Sequence, residues 1–226
     1  MDYGKVQSGL FRKRLNRFAA IVEIEGMETI AHVKNTGRLR ELFVPGATVY
    51  LKYVDHPQRK TQWDLISVEH QGEIVNIDSQ APNYVFGEWV AGGHFRKSVC
   101  KIIPEVTYGD SRFDFQLELE ETVQFVEVKG VTLLRDGKAC FPDAPTERGV
   151  KHLRGLMRAV SERYAAAVVF VIQRKNAEAF IPNDETQPEF GCVLREAAAA
   201  GVQIYAYDCR VTERELTIDC PVKVQL

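Results

Sequence analysis

Apolar and polar residues alternate over short runs through the first eighty positions, which is the period-2 signature of half-buried strands. LNRFAAIVEIEG and METIAHVK flank a turn at Glu25-Gly26. After NTGRLRELFVPG, which reads as a short helical piece, come ATVYLKYVDH, WDLISVEH and GEIVNID. Five strands and one helical piece in so short a length predict a small Greek-key barrel, the OB-fold first and an SH3-like barrel as the alternative. The polar stretch DSQAPNY, carrying Pro82, predicts a boundary that divides the chain into 1–81 and 82–226.

From Asn83 onward the period changes. NYVFGEWVAGG reads as a helix stopped by Gly92-Gly93, and IPEVTYG, SRFDFQLEL and TVQFVEVKGVTL read as strands. The turn-rich RDGKACFPDAPT leads into ERGVKHLRGLMRAVSERY, where Val150, Leu153, Leu156, Met157 and Val160 recur at helical spacing. AAVVFVIQ is a continuous apolar run, typical of a central strand buried on both faces. PEFGCVLREAAAAG and VQIYAYDC add a helix and a strand. This order predicts an α/β sandwich around a mixed sheet, and for the whole chain an α+β two-domain protein.

Composition narrows the class without naming a function. Hydrophobic residues at 45% and charged residues at 27% are those of a globular protein, and a net charge of −2 argues against a generally cationic molecule. The charge is uneven: residues 1–60 hold eleven Lys/Arg against six Asp/Glu, a local +5 that leaves −7 for the remainder. That asymmetry predicts a polyanion-facing surface on the first domain, with an ordinary solvated face as the alternative. The five cysteines are widely spaced and contain no Cys-x-x-Cys, which points away from a disulfide framework or zinc ribbon and towards a cytoplasmic setting. No segment has the length or apolarity of a signal sequence or membrane span, so no membrane association is expected. Exposed helix faces would allow a homodimer, and nothing in the sequence forces one.

The sharpest chemistry lies in the second domain. In TVQFVEVKG, strand alternation puts Glu127 and Lys129 on one face and Val126 and Val128 on the other. Asp114 in the preceding strand lies opposite in parity to Phe113, Phe115 and Leu117. If the intervening segment turns the chain back, Asp114 and Glu127 meet, and two close carboxylates repel unless a proton or cation sits between them. Mg²⁺ or Mn²⁺ fits such an oxygen pair. Lys129 would then position a water or stabilise charge on a phosphate. An aspartate, a spacer and Glu-x-Lys on an apolar strand is the PD-(D/E)xK nuclease-like arrangement. The bland reading is a sheet edge capped by two acids with Lys129 as their ion-pair partner.

Other groups extend the candidate list. Glu88 in the preceding helix is the expected third metal ligand beside Asp114 and Glu127, Glu105 competes for that place, and Gln173 follows the apolar strand closely enough to reach the site. Arg148, Lys151, His152, Arg154 and Arg158 form a basic helix surface suited to phosphates. His152 is a candidate acid or base, although a lone histidine on an amphipathic helix is more often packed or solvated.

The segments FRKRLNRF, HVKNTGRLREL, SRFDF, VEVKGVTL and FPDAPTERGVKHL together resemble the sugar fermentation stimulation protein (SfsA) family over essentially the whole chain. The resemblance implies an OB-like domain joined to a PD-(D/E)xK nuclease-like domain, DNA binding without sequence preference, and a role in regulating sugar (maltose) metabolism. It places the nuclease-like signature on Asp114, Glu127 and Lys129, with Glu88 as the helix acid. Two departures stand out: Lys34 where a proline is expected, and Gly130 where Ser or Asn is common, a change that would loosen the strand end.

Beside the resemblance, an OB barrel holds nucleic acid in a basic groove with exposed aromatics. Arg14 and Arg17 lie on the predicted first strand with Phe18, Asn35 and Arg38 belong to a donor-rich loop, and Arg59 and Lys60 precede Trp63. Phe18 and Trp63 are expected in the barrel core, as large aromatics usually are. Two functions therefore follow from the sequence: a DNA-binding protein acting by occupancy, and a metal-dependent nuclease hydrolysing DNA or RNA phosphodiesters. A carbohydrate-binding OB module is a third class, and it leaves the second domain unexplained.

Overall fold

Closure of the N-terminal sheet depends on one parallel pairing. The computed structural model describes residues 1–96 and 99–226. Strands β1 (Val6–Asn16), β2 (Ala19–Ile24), β3 (Met27–Val33), β4 (Thr48–Tyr53), β5 (Trp63–His70) and β6 (Glu73–Asn76) form one sheet in the order β3-β2-β1-β4-β5-β6. Beside these antiparallel neighbours, β3 pairs in parallel with β5, from Ala31↔Trp63 to Val33↔Leu65, which closes β1–β5 into a five-stranded barrel. Phe11, Val22, Leu51, Leu65 and Val68 fill it.

The predicted strands differ from the observed ones at the start. LNRFAAIVEIEG is not one strand: it breaks at a turn over Arg17 and Phe18, and the true first strand begins at Val6. FRKRLN does not read as a strand because Phe11 is its one buried residue and register shifts at Phe11/Lys13 and Arg14/Asn16 disrupt the alternation. GEIV, expected within the barrel, is β6 and extends the sheet beyond β5. The segment after Asn35 is not helical but a run of turns.

The C-terminal part begins with α1 (Ala81–Ala91), whose early Pro82 is tolerated because first-turn amides need no intrahelical partner. The antiparallel strands β7 (Val99–Tyr108), β8 (Ser111–Leu119) and β9 (Val123–Val131) follow, then the short β10 (Leu134–Arg135) and β11 (Lys138–Phe141). Helix α2 (Glu147–Ser161) starts at Thr146, whose hydroxyl accepts from the Gly149 amide at 3.0 Å. After it come β12 (Ala165–Ile172), β13 (Ala179–Pro182), α3 (Pro188–Ala199), β14 (Gln203–Val211), β15 (Leu216–Pro221) and β16 (Lys223–Val224). The main sheet runs β15-β14-β12-β9-β8-β7, with β12 parallel to both β9 and β14, so it is mixed as expected. A small sheet, β10-β11-β13-β16, was not legible in the sequence because its strands have only two to four residues each.

Strand β12 explains the apolar run. Val168, Phe170 and Ile172 face the core under α2 and α3, where Leu153, Leu156 and Phe190 lie. Ala167, Val169 and Val171 face the opposite core, under Val85, Phe86 and Val90 of α1. Burial on both faces removes the polar alternation that would otherwise mark a strand.

The barrel meets this sheet through buried polar groups. Gln173, at the end of β12, donates from Nε2 to Asn76 Oδ1 at 2.8 Å and to the Asp78 carbonyl at 2.9 Å. Its backbone amide donates to Val131, and its carbonyl accepts from Asn76. The sequence suggested Gln173 as a site group; its amide is instead a bolt between the two halves. Lys34 Nζ closes on the fully buried Asp78 at 2.6 Å, so the lysine that stands in place of an expected proline supplies an ion pair here. Gln173→Ala removes two hydrogen bonds across the junction, each worth about 0.5–1.5 kcal/mol, because Asn76 Oδ1 still accepts from the Asp78 amide and the Asp78 carbonyl from the Ala81 amide. A lower midpoint in urea denaturation is expected, whereas an unchanged midpoint would show that the junction contributes nothing to stability.

Candidate functional site

Two strands and two helices bring the groups of the candidate centre together at the middle of the sheet. The β8–β9 register ends at Phe115↔Val126, and beyond it the Val128 amide donates to Asp114 Oδ2 at 2.7 Å. Asn83 of α1 donates to the other oxygen, Asp114 Oδ1, at 2.8 Å. The strict alternation read from SRFDF fails here. Phe113 joins the core under α2 and Phe115 the core under α1, so the strand turns over at Asp114. On β7, Glu105 lies between Pro104 and Val106, the partners of Phe115 and Phe113, and has a positive φ of 54°. A non-glycine residue there carries backbone strain, and it marks the bend that turns Asp114 towards the site.

Glu127 is 2% exposed. Its Oε1 contacts Lys129 Nζ and His152 Nδ1, while Oε2 is buried without a hydrogen-bond partner among the described residues. His152 is 5% exposed, and its Nε2 lies 3.3 Å from Arg148 Nε. Arg148 can only donate, so Nε2 is the acceptor and Nδ1 carries the hydrogen given to Glu127. His152 is thus a buried orienting group, which corrects its expected place on a phosphate-binding surface. The sequence spacing of α2 contained the signal, since His152 lies on the same face as Leu153 and Leu156, but the partner, 25 residues away, was not readable.

Electrostatics separates the two acids. Burial, and then the negative charge of Glu127, pushes the Asp114 carboxyl above the usual carboxylate range. Burial alone would raise Glu127 too, but the hydrogen bond from His152 and the charge of Lys129 hold it below that range. An unpartnered buried carboxylate oxygen beside a destabilised carboxylate is a donor set that a hard divalent cation satisfies. These two carboxylates fit such an ion on the chemistry of their oxygens. Gly130, one residue beyond Lys129, does not loosen the strand end: a Cβ there would lie 2.6 Å from Gln173 Oε1 and 2.8 Å from Pro82, so packing demands glycine.

Other expected members are placed elsewhere. Glu88 is largely exposed and pairs with the Met1 ammonium at 2.7 Å, and Glu88, Asp114 and Glu127 do not form a group of three converging ligand atoms. Among the described residues the one such group is Asp208, Asp219 and Cys220, where Lys175 Nζ already bridges the two carboxylates at 2.8 Å each. Glu105 pairs loosely with Arg112 at 3.6 Å.

The cations divide in the same way. Arg14 donates all five of its guanidinium N–H groups to the carbonyls of Asn16, Arg17, Asn35, Gly37 and Arg38, so it clamps the neighbouring loops and has none left for phosphate. Asn35 is likewise occupied, by Ile77 and Gly37. Arg59 is held by buried Asp64. On α2, Lys151 and Arg158 pair with Asp110 and Arg154 pairs with Glu189, while Arg148 serves His152. Exposed Arg17, Arg38 and Lys60 form no ion pair with any described residue. Trp63 packs on the barrel core as expected, whereas Phe18 is 53% exposed because it sits in the β1–β2 turn.

His152→Ala would leave Glu127 with Lys129 as its one partner. A loss of about 2 kcal/mol is expected, the scale of a hydrogen bond to a charged group, with partial recovery in His152→Gln, whose amide can donate. Denaturation in EDTA checks this, and equal stability of the alanine variant and wild type would contradict the contact.

Comparison with known proteins agrees with both halves. Residues 13–77 match the family model described as SfsA N-terminal OB domain, and residues 80–215 that described as sugar fermentation stimulation protein RE domain. The chain is 51% identical to a "Sugar fermentation stimulation protein homolog" of Desulfitobacterium hafniense, over 100% of this chain and 99% of that one. A homolog so named in Clostridium beijerinckii is 50% identical, over 96% of each. The solved structure of Pyrococcus furiosus SfsA in complex with Ca²⁺ superposes with a TM-score of 0.91 at 28% identity, covering 100% of this chain and 98% of that one. Barrel, mixed sheet and full-length similarity together place this chain in the sugar fermentation stimulation protein (SfsA) family.

Proposed function

We propose that this chain binds nucleic acid, DNA in the first place, without sequence preference, and that Asp114, Glu127 and Lys129 form a PD-(D/E)xK-type centre for metal-dependent hydrolysis of phosphodiesters. The observation that carries this reading is the buried, unpartnered Glu127 Oε2 beside an Asp114 carboxyl destabilised by the same charge. A protein that only gripped phosphates gains nothing from acids that repel them. Asp114 and Glu127 would hold Mg²⁺ or Mn²⁺, and the Ca²⁺ bound by the archaeal relative supports a divalent site in this fold. When bound, such an ion polarises a phosphoryl oxygen and makes a coordinated water more acidic.

The chain's own residues do the remaining work. Asn83 and the Val128 amide hold the Asp114 carboxylate, and His152, backed by Arg148, fixes Glu127. Lys129 places a positive charge beside the reacting phosphate and orients the attacking water. Exposed Arg17, Arg38 and Lys60 contact the sugar-phosphate backbone, a mode that carries no sequence information. A second reading keeps the binding without turnover, as a cytoplasmic regulator of sugar (maltose) metabolism; the unpaired barrel cations favour it, since they need no metal.

Lys129→Ala separates the two. Wild type is expected to cleave labelled DNA or RNA in Mg²⁺ or Mn²⁺ and not in EDTA. The variant is expected to lose about 100-fold or more in rate, the scale of removing one electrostatic stabiliser, while retaining binding. Salt-sensitive binding with no cleavage by wild type in any metal would establish occupancy instead.

A further inference from the structure

Two concavities adjoin at the linker between the two halves. One concavity of about 680 Å³ lies between the β1–β2 and β4–β5 loops of the barrel, with Phe18 and Lys60 in its walls. A second, of about 600 Å³, lies between α1 and the β7–β8 hairpin and contains Asp114 and Tyr84. Both include Ser79 and Gln80, so the barrel concavity and the depression that holds the carboxylate are neighbours across these two residues.

Two exposed rings stand along this path. Among the described residues the aromatic side chains at least 40% exposed are Phe18 at 53%, Tyr84 at 61% and Tyr164 at 40%. Tyr164 packs edge-on against Tyr108 and Phe125. Phe18 and Tyr84 pack against no other ring among the described residues, and Phe18 has the Arg17 guanidinium 5.9 Å from its centroid. Tyr84 follows Asn83, the residue that holds Asp114 Oδ1, so its ring is tied to the candidate centre by adjacent positions on one helix.

The charges along the groove suit a strand with bases on one side and phosphates on the other. Lys60 lines the barrel end and Arg17 lies beside its Phe18, neither in an ion pair with a described residue. At the other end, two of the three carboxylates already have cationic partners: Glu88 the Met1 ammonium and Glu105 the Arg112 guanidinium. Asp114 is the acid left facing the groove, at the position where the phosphodiester would be cleaved.

Resting on the nucleic-acid reading above, we infer that the substrate of this site is a single strand. It runs from the barrel loops across Ser79–Gln80 to Asp114, with one unpaired base stacked on Phe18 and another on Tyr84. The faces of paired bases are closed to such rings, because each is covered by its neighbours in the duplex. Unpaired bases stack on aromatic side chains whatever their sequence, which accords with binding that does not discriminate.

Fluorescence anisotropy with a ~20-nucleotide labelled oligothymidylate, the same strand in a duplex and an abasic strand of equal length, all in Ca²⁺, tests this. Wild type should prefer the single strand to the duplex and to the abasic strand. Tyr84→Ala and Phe18→Ala should each weaken single-strand binding by about 5- to 100-fold, the scale of one lost stack. Duplex binding should be unchanged, Tyr84→Phe should behave as wild type, and the melting temperature should not move, since both side chains are exposed. A duplex bound as tightly as the strand, or alanine variants that bind the strand like wild type, would overturn the single-strand path and leave the nucleic-acid reading standing. Absence of binding to all three probes by wild type would overturn that reading itself.

Discussion

Gln173 makes the contacts on which the relation between the two halves depends. Through its backbone it joins the ends of β9 and β6, and through its side chain it donates to Asn76 at the end of β6 and to the Asp78 carbonyl just after it. Buried polar groups are paired across the junction by these bonds, which hold the barrel against the sheet. The barrel concavity and the depression that holds Asp114 adjoin at Ser79 and Gln80, next to this junction. Gly130 belongs to the same constraint, since Pro82 and Gln173 approach too closely for any side chain at that position.

The carboxylate centre reflects a different balance. Glu127 is buried deeply enough that an isolated charge would be costly, and His152 and Lys129 compensate at one oxygen only. Arg148 completes the arrangement at one remove by setting which ring nitrogen of His152 carries the hydrogen. A purely structural ion pair would be expected to satisfy both oxygens. That asymmetry, rather than the Glu-x-Lys spacing, is what distinguishes this constellation from an ordinary capped sheet edge.

Much of the architecture was legible in the sequence, and the parts that were not share a cause. AAVVFVIQ announced a central strand because burial on both faces leaves no polar positions. The barrel was legible from its alternating strands, yet β1 was missed, since bulges and outward-facing basic residues interrupt its period. Strands of two to four residues in the small sheet hold too few positions to display any period. Among the candidate residues, charge and spacing nominated Arg14 and Asn35 for phosphate, while the folded chain occupies their donors with loop carbonyls.

What the sequence determined by itself is local: alternation, helical spacing, the placing of Glu127 and Lys129 on one strand face, and the excess of positive charge in the first sixty residues. These follow from backbone geometry and composition, which act between near neighbours in the chain. Which cations stay unpaired, which acid loses its partner and which rings remain uncovered were decided only by tertiary structure. Each depends on groups distant in sequence, Asn83 with Asp114, His152 with Glu127 and Glu88 with Met1, and no periodicity encodes such a meeting.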